Sequence, residues 1–348
     1  MKYRGINYDI GTKTITGGIT RETFDINIIA KEIEIIRKDL HCNAIRISGL
    51  DIDRIALAAE LALKEGLTVW FSPALHYDNR QNTLQYIIEG ARAAEKLRRK
   101  YNNIIYIVGC ELTLFTAGFV KGETGEERTK SLFSPFSMVK NMLGISRSYN
   151  RKLNEFLTAA VSKVKQQFTG QISYASGTWE KVDWKLFDIV GIDHYRAAYN
   201  KAVYVKQLQE YKKIGKPISI MEFGCCTYKG AEEKGPMGWA IVDWKKEKPE
   251  LKGDYVRSED TQARYMLELL DIFEKEDVLA AFVFTFILNN YKYCDNPKYD
   301  LDMASYGLVK PMGNGDKKYY SNLPWLPKLA FMKLAEHYAK WLPVKQNA

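Results

Sequence analysis

Short apolar, β-branched runs alternate with longer stretches whose apolar positions recur at helical spacing, and the alternation covers the whole chain. Residues 3–8 predict a first strand, and FDINIIAKEIEIIRKDL predicts a helix over about 25–40. NAIRI (43–47) predicts strand two. Its helix covers about 51–64 and stops at Gly66, a residue suited to the turn that ends a helix. TVWFSP (68–73) is strand three, with a long helix over about 83–100. IIYIVG (104–109) is strand four; an irregular stretch, 113–147, separates it from a helix over about 149–168. QISYAS (171–176), FDIVGID (187–193) and PISIMEF (217–223) are strands five to seven, with a helix over about 203–214 between the last two. A second irregular stretch, 224–257, precedes a helix over about 258–276. AAFVFTF (280–286) is strand eight, and a third irregular stretch, 289–322, leads to a last helix over 325–341.

Continuously apolar strands set between helices belong to a parallel sheet covered on its outer side. Eight such units predict an α/β fold, a (β/α)8 TIM barrel forming a single domain over residues 1–348. The competing arrangement is an open doubly wound sheet. A dinucleotide-binding sheet of that kind carries a glycine-rich turn after strand one, and this chain has none. The irregular stretches follow strands four, seven and eight, which places them on the C-terminal rim where barrel enzymes build their sites.

Of the 348 residues, 46% are hydrophobic and 27% charged, as in a globular protein with a large core. No apolar run approaches the roughly 20 residues that span a bilayer. The N-terminal MKYRGINYDIG has no leader pattern, so a cytoplasmic protein with no membrane partner is expected. The net charge of +9 is scattered among acidic residues, as in RAAEKLRRK. No phosphate loop, zinc finger or RNP-like motif accompanies it, and it reads as solvated helix faces with no nucleic-acid partner. The five cysteines contain no CxxC, and the four histidines contain no HxH pair. Neither a metal nor a cofactor is expected.

Two glutamates close apolar strands: Glu111 ends IIYIVGCE and Glu222 ends ISIME. An acid at the end of a buried strand is costly unless it is paired or opens onto a cleft. The ends of strands four and seven face each other across a barrel mouth. Two carboxyls across a pocket are what glycoside hydrolysis needs, one protonated to donate to the leaving oxygen and one ionised to attack the anomeric carbon.

On these residues the chain resembles the large clan of retaining glycosidases built on (β/α)8 barrels, in which the acid/base ends strand four and the nucleophile ends strand seven. The matching segments are Gly109-Cys110-Glu111 and Met221-Glu222-Phe223-Gly224. Arg46 in IRIS matches the clan's arginine beside the nucleophile, Tyr195 in GIDHY its tyrosine on the nucleophile, and His76 its strand-three histidine. The resemblance implies a carbohydrate substrate, with Glu111 as acid/base and Glu222 as nucleophile. Two positions depart from it. Cys110 stands where the clan has an asparagine that reads the sugar 2-hydroxyl, and strand eight ends in FTFILNN without the usual tryptophan. The run KYRGINYDIG also resembles bacterial proteins labelled abortive infection proteins.

Further candidates come from position. Arg46 would hold Glu222 ionised. Asp193 and His194 lie on alternate faces at the end of strand six, so one of them points inward, and His194 is a candidate substrate contact. Tyr8 and Asp9 end strand one, within reach of a sugar. Trp179 and Trp239, in rim loops, are candidate platforms for apolar sugar faces. Cys225 and Cys226 read as packing residues. Transfer to a sugar acceptor by the same residues, and a glycan-binding or phage-sensing barrel without turnover, are the alternatives to hydrolysis.

Overall fold

The computed structural model describes residues 1–14, 17–134, 148–312, 320 and 323–342. Eight parallel strands close into a barrel in chain order. They are β1 (Tyr3–Asp9), β2 (Ala44–Gly49), β3 (Thr68–Pro73), β4 (Ile104–Cys110), β5 (Ile172–Gly177), β6 (Val190–Asp193), β7 (Ile218–Phe223) and β8 (Ala280–Val283). β1 pairs with β2 on one side and with β8 on the other, which leaves the barrel without an open edge. The fold is therefore a (β/α)8 barrel, with strands close to the predicted positions.

The surrounding helices are α1 (Ile26–Lys38), α2 (Ile52–Lys64), α3 (Arg80–Tyr101), α4 (Ser148–Lys165), α5 (Tyr204–Lys212), α6 (Glu259–Lys275) and α7 (Leu329–Ala339). Several start where a side chain satisfies free N–H groups. Asp25 caps α1, Asp51 caps α2, Asn79 caps α3 and Ser258 caps α6. Each amphipathic helix lays its apolar stripe on the barrel; α1, for example, buries Ile29, Ile33 and Ile36. None of the described helices is long and apolar enough to cross a membrane.

A separate apolar cluster fills the barrel, built from Ala44, Trp70, Ile105, Ile107, Ala175, Ile189, Met221, Ala280 and Phe282. Trp70 meets Phe282 edge to face at 4.8 Å. Gly5 makes room for that ring, since a Cβ there would stand 2.4 Å from Phe282. This plug closes the barrel below. At the C-terminal ends of the strands, polar side chains take over.

The rim differs from expectation in places. The stretch after β4 contains a single turn, Leu112–Phe115, and a helix, Gly125–Phe133, with Thr124 and Glu127 forming a capping box; its residues 135–147 lie outside the described residues. Between β5 and β6 the connection is a 3-10 turn, Trp184–Leu186. The segment expected to be helical from residue 325 begins as a strand, Trp325–Pro327, paired antiparallel with Val309–Pro311. Pro327 accounts for this, because it holds the preceding residue extended and cannot sit inside a helix. β8 ends at Val283, followed by a cis peptide between Phe284 and Thr285. The long loops are tied down by ions: Arg257 binds Asp300 (2.9 Å), Asp302 (2.7 Å) and Glu259 (2.9 Å), and buried Lys328 also reaches Asp302.

Candidate active site

Glu222 stands next to last on β7 with its side chain 15% exposed. Its Oε1 accepts from Arg46 Nη1 at 3.0 Å, and its Oε2 from the Tyr195 hydroxyl at 3.1 Å. Arg46 rises from β2 inside the barrel and is itself held in place. Its Nε donates to Ser72 Oγ (3.2 Å), and its Nη1 also reaches Asn7 Oδ1 (3.2 Å) and the Met221 carbonyl (3.3 Å). Asn7 donates to the Met221 carbonyl at 2.8 Å and so locks β1 to β7 beneath the site. An arginine and a hydroxyl thus occupy its two oxygens.

Glu111 follows β4 in a left-handed conformation, φ 42° and ψ 45°, that a side-chain-bearing residue rarely takes. Its N–H donates to the Ala175 carbonyl at 2.8 Å, and its own carbonyl accepts from Leu114 and Phe115. Its half-buried carboxyl makes no hydrogen bond to any described residue. Burial first, then the charges of Asp193, Glu222 and Glu180, push it well above the usual carboxylate range, with Arg46 opposing. Two glutamates thus stand in one electrostatic field, one gripped by a cation and the other pushed toward its protonated form.

Asp193 is a third acid of the group. It ends β6 on the inner face, 3% exposed, in register with Glu222. Burial and then Glu222 push it well above the usual range. Between the two lies Cys110, whose Sγ is 3.7 Å from both Asp193 Oδ2 and Glu222 Oε1. Burial and the Asp193 charge raise that thiol, which makes it a neutral, weak donor. The ligand atoms of Cys110, Asp193 and Glu222 lie within 4.8 Å of one another, a span that suits a metal ion, but the guanidinium of Arg46 already stands against Glu222 as the local cation.

No family model and no curated protein matches the sequence. Solved structures do match. A GH113 β-1,4-mannanase is 13% identical, with 97% of this chain and 99% of that one covered and a TM-score of 0.59. The GH113 β-mannanase AaManA from Alicyclobacillus acidocaldarius is 14% identical, with 87% and 96% covered and a TM-score of 0.55. β-Glucuronidase 2 of Bacteroides uniformis is 16% identical, with 89% of this chain and 33% of that one covered and a TM-score of 0.54. At these identities the likeness is one of backbone architecture.

Of the residues singled out in the sequence, Glu111, Glu222, Arg46, Tyr195 and Cys110 come together at the barrel mouth. His76 sits on the β3 side of the rim. Its Nδ1 lies 3.2 Å from the Lys13 carbonyl, its ring stacks on Phe115 at 4.1 Å, and burial lowers it to about 4, which keeps it neutral. Trp179 lies over Gly177 at the end of β5, with its indole N–H on Thr113 Oγ1 (2.9 Å) and Phe133 edge-on at 5.0 Å. Trp239 is half-buried in the loop after β7, packed against the core. The adjacent Gly238 is held by the Tyr306 hydroxyl (3.0 Å), and the Tyr306 ring packs against Tyr195. Phe284, beside Tyr195 and Tyr306, is the aromatic that strand eight brings to this group. Phe286 faces the other way, against Tyr8 and Trp325.

Three expectations are corrected. Tyr8 points outward, fully buried between barrel and α1, with its hydroxyl on Glu32 and the Arg21 guanidinium over its ring. His194 also points outward, stacked on Tyr204 at 4.0 Å with its Nε2 3.3 Å from the Tyr204 carbonyl. Successive strand residues face opposite sides, so the inward positions are Asn7 and Asp193. Asp9 is turned into its own loop, where it accepts from the Gly11 N–H (2.8 Å) and the Thr12 hydroxyl (3.2 Å).

Proposed function

We propose that the chain is a retaining glycoside hydrolase, a single catalytic domain that works through a covalent glycosyl-enzyme intermediate. The observation that carries this reading is the unequal treatment of two carboxyls at one barrel mouth. Arg46 and Tyr195 grip the two oxygens of Glu222, and burial among acids pushes Glu111 toward its protonated form. In the first step a Glu222 oxygen attacks the anomeric carbon as the glycosidic C–O bond breaks, and Glu111 gives its proton to the departing oxygen. In the second, Glu111 takes a proton from water, the water oxygen bonds to the anomeric carbon, and Glu222 leaves as the carboxylate. The Arg46 guanidinium offsets the charge on Glu222 in the free enzyme, before the attack and again once the ester bond has broken. Trp179 and Trp239 are the proposed sugar-stacking surfaces on the rim.

Structural neighbours named as β-mannanases and a β-glucuronidase support beginning with β-glycosides. Cys110, a poor hydrogen-bonding group, argues for including sugars without an ordinary 2-hydroxyl. The test is a panel of aryl glycosides, uronides and deoxysugars among them, run with wild type, Glu111→Ala and Glu222→Ala. Wild type releases the phenol. Glu222→Ala loses roughly four or more orders of magnitude of rate and is rescued by azide to a glycosyl azide of opposite anomeric configuration. Full activity in Glu222→Ala would overturn the assignment.

A further inference from the structure

Glu180 takes no part in the steps above, yet it is the most heavily bonded acid beside them. It is 5% exposed, three residues beyond β5. Its Oε1 accepts from the Thr113 N–H (3.0 Å) and the Thr113 hydroxyl (2.6 Å), and its Oε2 from the Tyr174 hydroxyl (2.8 Å). The Tyr174 oxygen in turn accepts from the Leu112 N–H at 2.8 Å. The first two N–H groups of the turn Leu112–Phe115 therefore end on Glu180, directly or through Tyr174, while the next two return to the Glu111 carbonyl. That turn begins at Glu111, whose left-handed backbone is unfavourable for a residue with a side chain and lasts only where its surroundings over-determine it.

We propose that Glu180 is a positioning residue for Glu111: its carboxylate clamps the turn that carries the acid and keeps Glu111 aimed into the barrel mouth. This rests on the reading of Glu111 as proton donor. Removing the Glu180 oxygens leaves the buried N–H and O–H of Thr113 and the Tyr174 hydroxyl without their acceptor. Charge couples the two acids as well. Glu180 is one of the groups that raise Glu111, with Asp193 on β6 and Glu222 on β7, against Arg46 on β2. Tyr77, Tyr195 and Cys110 also lie in the field of Glu111. Burial pushes Glu180 itself up to about 7, so its charge is complete on the alkaline side of that pH.

The test compares aryl glycosides of two leaving groups in the intact enzyme, because a dinitrophenolate departs without a proton and a plain phenolate needs one. In Glu180→Gln and Glu180→Ala, kcat on the poor leaving group should fall about 10- to 100-fold with KM nearly unchanged, and the dinitrophenyl rate should fall less than about threefold. The alkaline limb of kcat/KM should move to lower pH in Glu180→Gln, since a charge that raises Glu111 is gone. Thr113→Val, which keeps the backbone contact, should show the same bias at a few-fold and serves if Glu180→Ala does not fold. Equal losses on both leaving groups, or losses that follow a fall in Tm with no movement of the limb, overturn the proposal. Carbon-13 NMR of the glutamate carboxyls, with Glu111 assigned through Glu111→Gln, reads the coupling without turnover. A lower Glu111 midpoint in Glu180→Gln supports the clamp, and an unchanged midpoint overturns it. A wild type that hydrolyses nothing while the midpoint moves would sink the hydrolase reading and leave the clamp standing.

Discussion

Arg46 is 2% exposed and divides its donors among Glu222, Asn7, Ser72 and the Met221 carbonyl. Without it, Glu222 would face Asp193 and the Cys110 sulfur with no nearby cation. Breaking a buried pair by removing one partner costs about 3–5 kcal/mol. Arg46→Ala should lower the unfolding free energy by roughly that amount, read by urea unfolding, and a loss below about 1 kcal/mol would contradict a buried pair. Charged residues inside apolar strands are conspicuous in a sequence, and for that reason Arg46, Glu111 and Glu222 were legible. Tyr8 and His194 were misplaced because a strand end does not announce which parity faces inward; Asn7 and Asp193, each one residue earlier, hold the inner positions. Glu180 carried no local signal. Its partner Thr113 is 67 positions away, and only the folded chain brings the two together.

Among the elements, β6 is tightly seated. Gly191 lies in its middle, and a Cβ there would come within 2.3 Å of the Tyr174 carbonyl and 2.8 Å of Ser173 Oγ on β5. The Tyr174 carbonyl is backbone and cannot yield without moving the strand, and overpacking of this kind costs about 1–3 kcal/mol. Gly191→Ala should lose that much stability by calorimetry and should also lower kcat, because β6 carries Asp193 and leads into Tyr195. Unchanged stability would mean that the barrel breathes there. Helices and strands with strong periodicity were readable from the pattern alone. The errors fall where a local feature breaks the period. Pro327 turns the start of the expected last helix into a strand.

At the scale of the molecule, closure of the barrel converts order along the chain into convergence at one mouth. Arg46 and Glu222 are 176 residues apart and share a hydrogen bond. Alternation of strands and helices was sufficient to expect the closed sheet, and the strand numbers of the two glutamates were sufficient to place them at one rim. The sequence could not supply the clamp, the plug below the site or the ion network that braces the rim, since each depends on contacts between distant segments. The central claim is that Glu222 becomes covalently glycosylated. It is tested most directly by peptide mass spectrometry after incubation with a fluorinated slow substrate of the sugar that the panel identifies. The account predicts one glycosyl adduct, carried by Glu222 and absent from Glu222→Ala. An adduct on another residue such as Asp193, or steady turnover to a product of inverted configuration with no adduct at all, would contradict it.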